Sequence, residues 1–155
     1  MVDKVLIAYT TKSGATKKTA EKIAEVLRDK FNYWVDLANL GEQSVPYVGE
    51  YSGVIVGTGV QKGRIYPETE FFLAKDFGRR PLAYFTCSGF TYPKTYEETL
   101  IAYTTKVLAA YPNFKPVATE AFGGYIKILG VPVARKMDMA KVAVWADIVG
   151  TKFGE

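Results

Sequence analysis

A chain of 155 residues, 48% of them hydrophobic, is one domain's worth and can bury about two-thirds of the surface its unfolded form exposes. With no histidine and a single cysteine, Cys87, it lacks the usual zinc and iron ligand sets and an internal disulfide, so no metal site is expected. The net charge of +4 comes from basic residues scattered among acids, without the basic blocks of nucleic-acid modules. No stretch approaches the roughly 20 apolar residues that span a bilayer, and no signal-peptide pattern opens the chain. A single cytoplasmic domain over 1–155, without nucleic acid as a partner, is the expectation.

Short β-rich runs alternate with longer amphipathic stretches, the pattern of an α/β fold. Lys4 to Tyr9 is predicted as the first strand, apolar after Lys4 as a strand covered on both faces should be. In the helix that follows, Ala20, Ile23, Ala24, Leu27 and Phe31 fall at helical spacing, while Lys17, Lys18, Glu21, Lys22, Glu25 and Arg28 form the wet face. Further strands are predicted at Tyr33 to Leu37, Gly53 to Gly57, Pro81 to Cys87 and Pro116 to Phe122. Helices are predicted over Glu68 to Asp76, with Pro67 ahead of it, over Tyr96 to Ala110 and over Ala140 to Phe153. Trp34 and Trp145 are assigned to core or helix packing. Parallel strands with right-handed crossovers place ligands at their carboxyl ends, where the winding direction reverses.

The first such end is the most informative segment. After the first strand, Thr10-Thr11-Lys12-Ser13-Gly14-Ala15-Thr16 leads into the helix, offering the hydroxyls of Thr11, Ser13 and Thr16, free backbone N–H groups and the positive end of the helix dipole. One anion, a phosphate, would satisfy all of them; the alternative is ordinary N-capping, worth about 1 kcal/mol without any ligand. A nucleotide P-loop is absent, and a single glycine, Gly14, stands where a dinucleotide fingerprint needs three, which points to a mononucleotide. A cysteine-nucleophile phosphatase would need an arginine between Ser88 and Lys94; none is there, so Cys87 reads as inert. A two-component receiver domain would need acids where Tyr9-Thr10 and Gly57-Thr58 stand.

The same run resembles the phosphate loop of the flavodoxin superfamily, which wraps the 5′-phosphate of FMN. The stretch from Val54 to Tyr66 resembles the corresponding strand and loop of the flavodoxin-like, quinone-linked protoporphyrinogen dehydrogenases, which also have a basic residue at the place of Lys12. The resemblance is strongest over residues 4 to 75, and Gln61 departs from it where a basic residue is expected. It implies a flavodoxin-like, three-layer doubly wound fold with a five-stranded parallel sheet in order 2-1-3-4-5, and FMN as cofactor. Carried over by position, it assigns Thr11, Lys12, Ser13, Gly14, Ala15 and Thr16 to the phosphate. Thr58, Gly59, Val60, Gln61 and Gly63 on one side of the ring, and Thr86, Cys87, Ser88 and Gly89 on the other, complete the cofactor site.

Tyr66, Tyr92 and Tyr125 read either as surface aromatics or as ring contacts, and Phe122-Gly123-Gly124-Tyr125 as a completion of the pocket. Gly57 and Gly59 read as a turn or as places of close backbone approach. Lys12, Lys62, Arg64 and Lys94 would favour reduced, anionic flavin, opposite to the acidic surround of low-potential carriers. No side-chain pair in these loops makes an acid–base dyad, so no catalytic residue is expected and the chemistry belongs to the cofactor. The resemblance implies an oxidoreductase passing electrons from an organic substrate, such as a porphyrinogen or another large, apolar-cored anion, to a quinone or other acceptor, with an electron carrier between redox proteins as the alternative. Tyr125 to Asp138 is either an apolar flap, leaving peripheral membrane contact open, or an edge turn packed on its own domain. Oligomeric state is left open.

Overall fold

The structure, a computed structural model, describes residues 3–44, 47–88, 95–135 and 137–155. Five strands run parallel: β1 (Lys4–Thr10), β2 (Trp34–Asn39), β3 (Gly53–Gln61), β5 (Leu82–Ser88) and β6 (Ala118–Ile128). Their order is β2-β1-β3-β5-β6, the expected order when the parallel strands are counted alone. Two antiparallel additions extend it: β4 (Arg64–Ile65) pairs with β3, and β7 (Val131–Arg135) pairs with β6.

Alternation along β1 explains the layers. Val5, Ile7 and Tyr9 join Ile55, Phe85 and Cys87 under α1 (Ala15–Phe31) and α5 (Met139–Phe153), where Ile23, Leu27, Trp145 and Val149 close one core. Leu6 and Ala8 join Val54, Val56 and Tyr84 in a second core, against Phe72 and Leu73 of α2 (Pro67–Leu73) and Tyr103. A strand buried on both faces needs apolar residues at every position, as β1 shows from Val5 onward.

The helix predicted over Tyr96 to Ala110 is continuous but not uniform. Two α segments, α3 (Tyr96–Leu100) and α4 (Lys106–Ala109), flank a π turn at Ile101–Thr105. Helix α2 starts with Pro67 in its first turn and ends at Leu73, earlier than predicted. The other corrections lie at strand ends. The third parallel strand passes Gly57 and continues to Gln61, then reverses through Lys62 and Gly63, both at positive φ as a two-residue hairpin turn requires. The fifth does not stop at Phe122: it continues to Ile128 and reverses at Leu129 and Gly130, φ +51° and +80°, so the expected flap or edge turn is a β-ribbon. Trp34 is 66% exposed on edge strand β2, its indole N–H donating to Asp36 at 2.9 Å, and it is not a core residue; Trp145 is.

Gly57 has a packing role. A Cβ there would lie 2.1 Å from Cζ of the fully buried Phe85 ring. Gly57→Ala is expected to lower stability by on the order of 1 to 3 kcal/mol through overpacking, read as a lower urea midpoint at unchanged m-value; an unshifted midpoint would mean the Phe85 ring has room to yield.

Candidate functional site

The carboxyl ends of β1, β3 and β5 meet in register: Thr10 pairs with Thr58, and Gly59 with Cys87. Between them lies a cavity of about 20 Å³, lined by Thr11, Lys12, Ser13, Ala15, Thr16, Gly59, Val60, Tyr66, Cys87, Gly124 and Tyr125. Eight of the expected cofactor residues are on that wall. Gly14, Thr58, Gln61, Gly63, Thr86 and Ser88 stand beside or behind it, and Gly89 lies outside the described residues, as do Phe90, Tyr92 and Lys94. Among the described residues the wall holds one cation, Lys12, and no carboxylate.

The turn before α1 is built by its own residues. The hydroxyl of Thr11 accepts the Gly14 N–H at 2.9 Å, and Gly14, at φ +96°, takes the left-handed conformation that lets the chain swing from β1 into the helix. Thr11 is thus spent partly on the turn. No side chain caps α1, in contrast to α3, where Thr95 accepts the Glu98 N–H, and α5, where Asp138 accepts the N–H groups of Ala140 and Lys141. The first-turn N–H groups of this 17-residue helix are therefore without a side-chain cap among the described residues.

A buried hydroxyl network adjoins the cavity at Gly59. Thr10 Oγ1 lies 3.1 Å from Thr58 Oγ1 and 2.8 Å from Thr69 Oγ1, and the Thr58 hydroxyl donates to the Gly59 carbonyl at 2.8 Å. This ties β1, β3 and α2 together just below the site. Above Gly59, the position of a Cβ would be 3.1 Å from the Tyr66 hydroxyl and 3.3 Å from Thr16 Oγ1, so the absent side chain leaves a niche between two hydroxyls. Burial, then the nearby Glu68 carboxylate, holds the Tyr66 phenol above its usual range, so it remains a neutral donor.

Lys12 leans across the mouth. Its Nζ donates to Gln61 Oε1 at 2.8 Å and sits 5.0 Å from the centroid of the Tyr66 ring. Gln61 therefore participates through Lys12 and not as cavity wall. At the carboxyl end of β5, Thr86 Oγ1 and Ser88 Oγ are buried without a hydrogen-bond partner among the described residues. Buried hydroxyls without partners are uncommon and mark places where a ligand or water completes the bonding.

The arrangement fits a phosphate-bearing ligand: a small donor-rich cavity at an uncapped helix start, one ammonium and unpaired hydroxyls on the neighbouring strand. Tyr66 and Tyr125, left open between surface and site by sequence, both line it. Sequence reasoning missed Thr69 and Thr19. Both lie on inward faces of helices, where the 3.6-residue period places them; their polarity disguised them as solvent-facing. Among the described residues no helix is long and apolar enough to cross a membrane, and no cluster of metal-ligating side chains exists.

The family model for the flavodoxin domain matches residues 6–147 of this chain. Among solved structures, flavodoxin 2 from Bacillus cereus is similar at 22% identity and TM-score 0.68, over 97% of this chain and 99% of that one. An archaeal flavodoxin is similar at 17% identity and TM-score 0.65, over 98% and 99%. Rubredoxin oxygen:oxidoreductase from Desulfovibrio gigas is similar at 16% identity and TM-score 0.66, over 97% of this chain and 36% of that larger one. No curated protein matches the chain.

Cys87 forms the floor of the cavity as a neutral group. Burial pushes its thiol from 9.0 up to about 11, partly offset by the hydroxyls of Thr19 and Thr16. The unfolded chain ionises this thiol first, so its contribution to stability is complete below about pH 9 and is lost as pH rises towards 11. Unfolding free energies from urea titrations across that window should fall by on the order of 2 kcal/mol more for the wild type than for Cys87→Ala. Equal pH profiles would mean that the thiol is not held neutral by the fold.

Proposed function

Because the chain belongs to the flavodoxin family, whose cofactor is FMN, we propose that it is an FMN-dependent oxidoreductase moving electrons from an organic substrate to a quinone or other acceptor, as its resemblance to the protoporphyrinogen dehydrogenases implies. The observation that carries this reading is that, among the described residues, Lys12 is the cation on the cavity wall and no carboxylate lies beside it. Ser13, Thr16 and the first-turn N–H groups of α1 would hold the phosphate, with Lys12 beside it. Gly59, Val60 and Tyr66 would border one side of the ring, Cys87 and Ser88 the other, and the unpaired Ser88 hydroxyl would meet a polar edge. Bound FMN would supply the redox chemistry, which no side chain here provides. The protein's part is orientation and a positive local field, which stabilises negative charge accumulating on a reduced ligand.

The ribbon of β6 and β7 starts at the site, since Gly124 and Tyr125 line the cavity, and ends in Leu129, 99% exposed, with Val131 also exposed. It offers an apolar surface to a quinone or to the membrane that dissolves one. A second reading, an electron carrier between redox proteins, is favoured by a different observation: the chain matches stand-alone flavodoxins over nearly their whole length. A cytoplasmic location suits both.

Purified protein loaded with FMN and titrated with dithionite distinguishes them. Bleaching in a single two-electron phase is expected for the oxidoreductase, and two well-separated phases for the carrier. Failure to take up FMN defeats both. Ser13→Ala should weaken FMN binding by about 1 to 3 kcal/mol with little change in melting temperature, whereas Thr11→Ala should lower both, because its hydroxyl also holds the turn. Unchanged FMN affinity in Ser13→Ala would remove that hydroxyl from the phosphate site.

A further inference from the structure

We propose that the β6–β7 ribbon docks the protein on an anionic membrane surface, with its aliphatic tip in the interface and its basic residues among the lipid headgroups. The inference deepens the quinone reading above by naming where the acceptor is met, and it stands on the geometry and composition of the ribbon itself.

The parallel pairing of β5 with β6 ends at Ser88 and Gly123. From Gly124 to Ile128 the strand runs on with β7 as its partner, a contour of about 17 Å at a strand rise of about 3.3 Å per residue. The ribbon therefore leaves the sheet at its carboxyl end, where Gly124 and Tyr125 line the cavity. At its far end Leu129 is almost wholly exposed, and Val131 and Val133 are exposed beside it. None of these three joins either core. The register sets Val131 opposite Ile128 and Val133 opposite Ile126, so four aliphatic residues occupy alternate positions of one two-stranded element.

Single exposed apolar residues such as Trp34, Phe71 and Val117 are ordinary on a protein surface, whereas three within five residues at the tip of a projecting hairpin form a patch that something covers. Composition separates the candidate occupants. Pro132 deprives β7, the edge of the sheet, of one N–H, which disfavours strand pairing with a second copy of the chain. From Leu129 to Val133 there is no Trp, Tyr or Arg, the residues that anchor protein–protein contacts. Charge favours lipid. Residues 121–137 contain Lys127, Arg135 and Lys136 and not one Asp or Glu; residues 53–67, which hold the neighbouring hairpin, contain Lys62 and Arg64 and again no acid. Anionic headgroups attract such basic segments while an aliphatic tip leaves water, so a bilayer of anionic lipid answers both features. Docked in this way, the end of the sheet that carries the cavity lies next to the phase that dissolves a quinone.

The test is flotation of the full chain with vesicles of phosphatidylcholine, alone or mixed with phosphatidylglycerol. Binding to the mixed vesicles is expected, weakened by salt and much weaker on phosphatidylcholine alone. Leu129→Asn suits the positive φ of that turn and so keeps the hairpin; it should weaken binding about tenfold without lowering the melting temperature. Lys127→Gln should weaken it about fivefold, on the mixed vesicles only. A chain that stays in solution with both vesicles, equal affinity for the two, or binding that Leu129→Asn leaves unchanged overturns the inference. So does a dimer in solution that Leu129→Asn dissociates, since a second copy would then be the occupant of the tip. FMN uptake and the dithionite titration need no vesicle, so failure on the membrane leaves the redox reading standing, and a chain that binds vesicles but not FMN overturns that reading alone.

Discussion

The parallel sheet is covered on both faces, and that constraint organises the rest of the molecule. Strands β1 and β3 have no wet side, so neither they nor their neighbours can carry polar chemistry along their length without an internal partner. Polarity is displaced to the carboxyl ends, where the crossovers to α1 and α2 leave in opposite directions and open a crevice. The register of Thr10 with Thr58, and of Gly59 with Cys87, brings three strand ends to one level and so brings separate loops to one small cavity.

The hydroxyls at this level divide into two groups by what they bond. Thr10, Thr58 and Thr69 satisfy one another and the Gly59 carbonyl, which makes them a rigid support for the loop after β3. Thr16 and Ser13 belong to an uncapped helix start, and Ser88 has no partner among the described residues. The first group is structural. Cys87 sits between them as a buried neutral thiol, bonded at 3.5 Å to Thr19, and contributes shape without nucleophilic chemistry.

Two hairpins give the site its borders. One turns at Lys62 and Gly63 and fixes Tyr66 and Gln61 against Lys12; the other turns at Leu129 and Gly130 and starts from Gly124 and Tyr125. Lysine and leucine are costly at positive φ, where Asn, Asp or Gly would sit with less strain. Their exposed side chains confer no compensating packing, and both turns lie on segments that frame the cavity.

How legible this was in the sequence depends on the range of the interaction involved. Local patterns sufficed for β1, for the wet and dry faces of α1 and for the turn from Thr11 to Thr16, because apolar periodicity and helix-start chemistry are written in neighbouring residues, while the order of the parallel strands came from the family resemblance. Tertiary contacts decided the remainder. Gly57 serves the Phe85 ring, Lys12 finds Gln61 and Tyr66, and β3 and β6 run on past their glycines because a hairpin partner or a neighbouring strand takes up their hydrogen bonds. Such partners are distant in the chain, and no local window contains the distance or direction that turns a hydroxyl or an ammonium into part of a site.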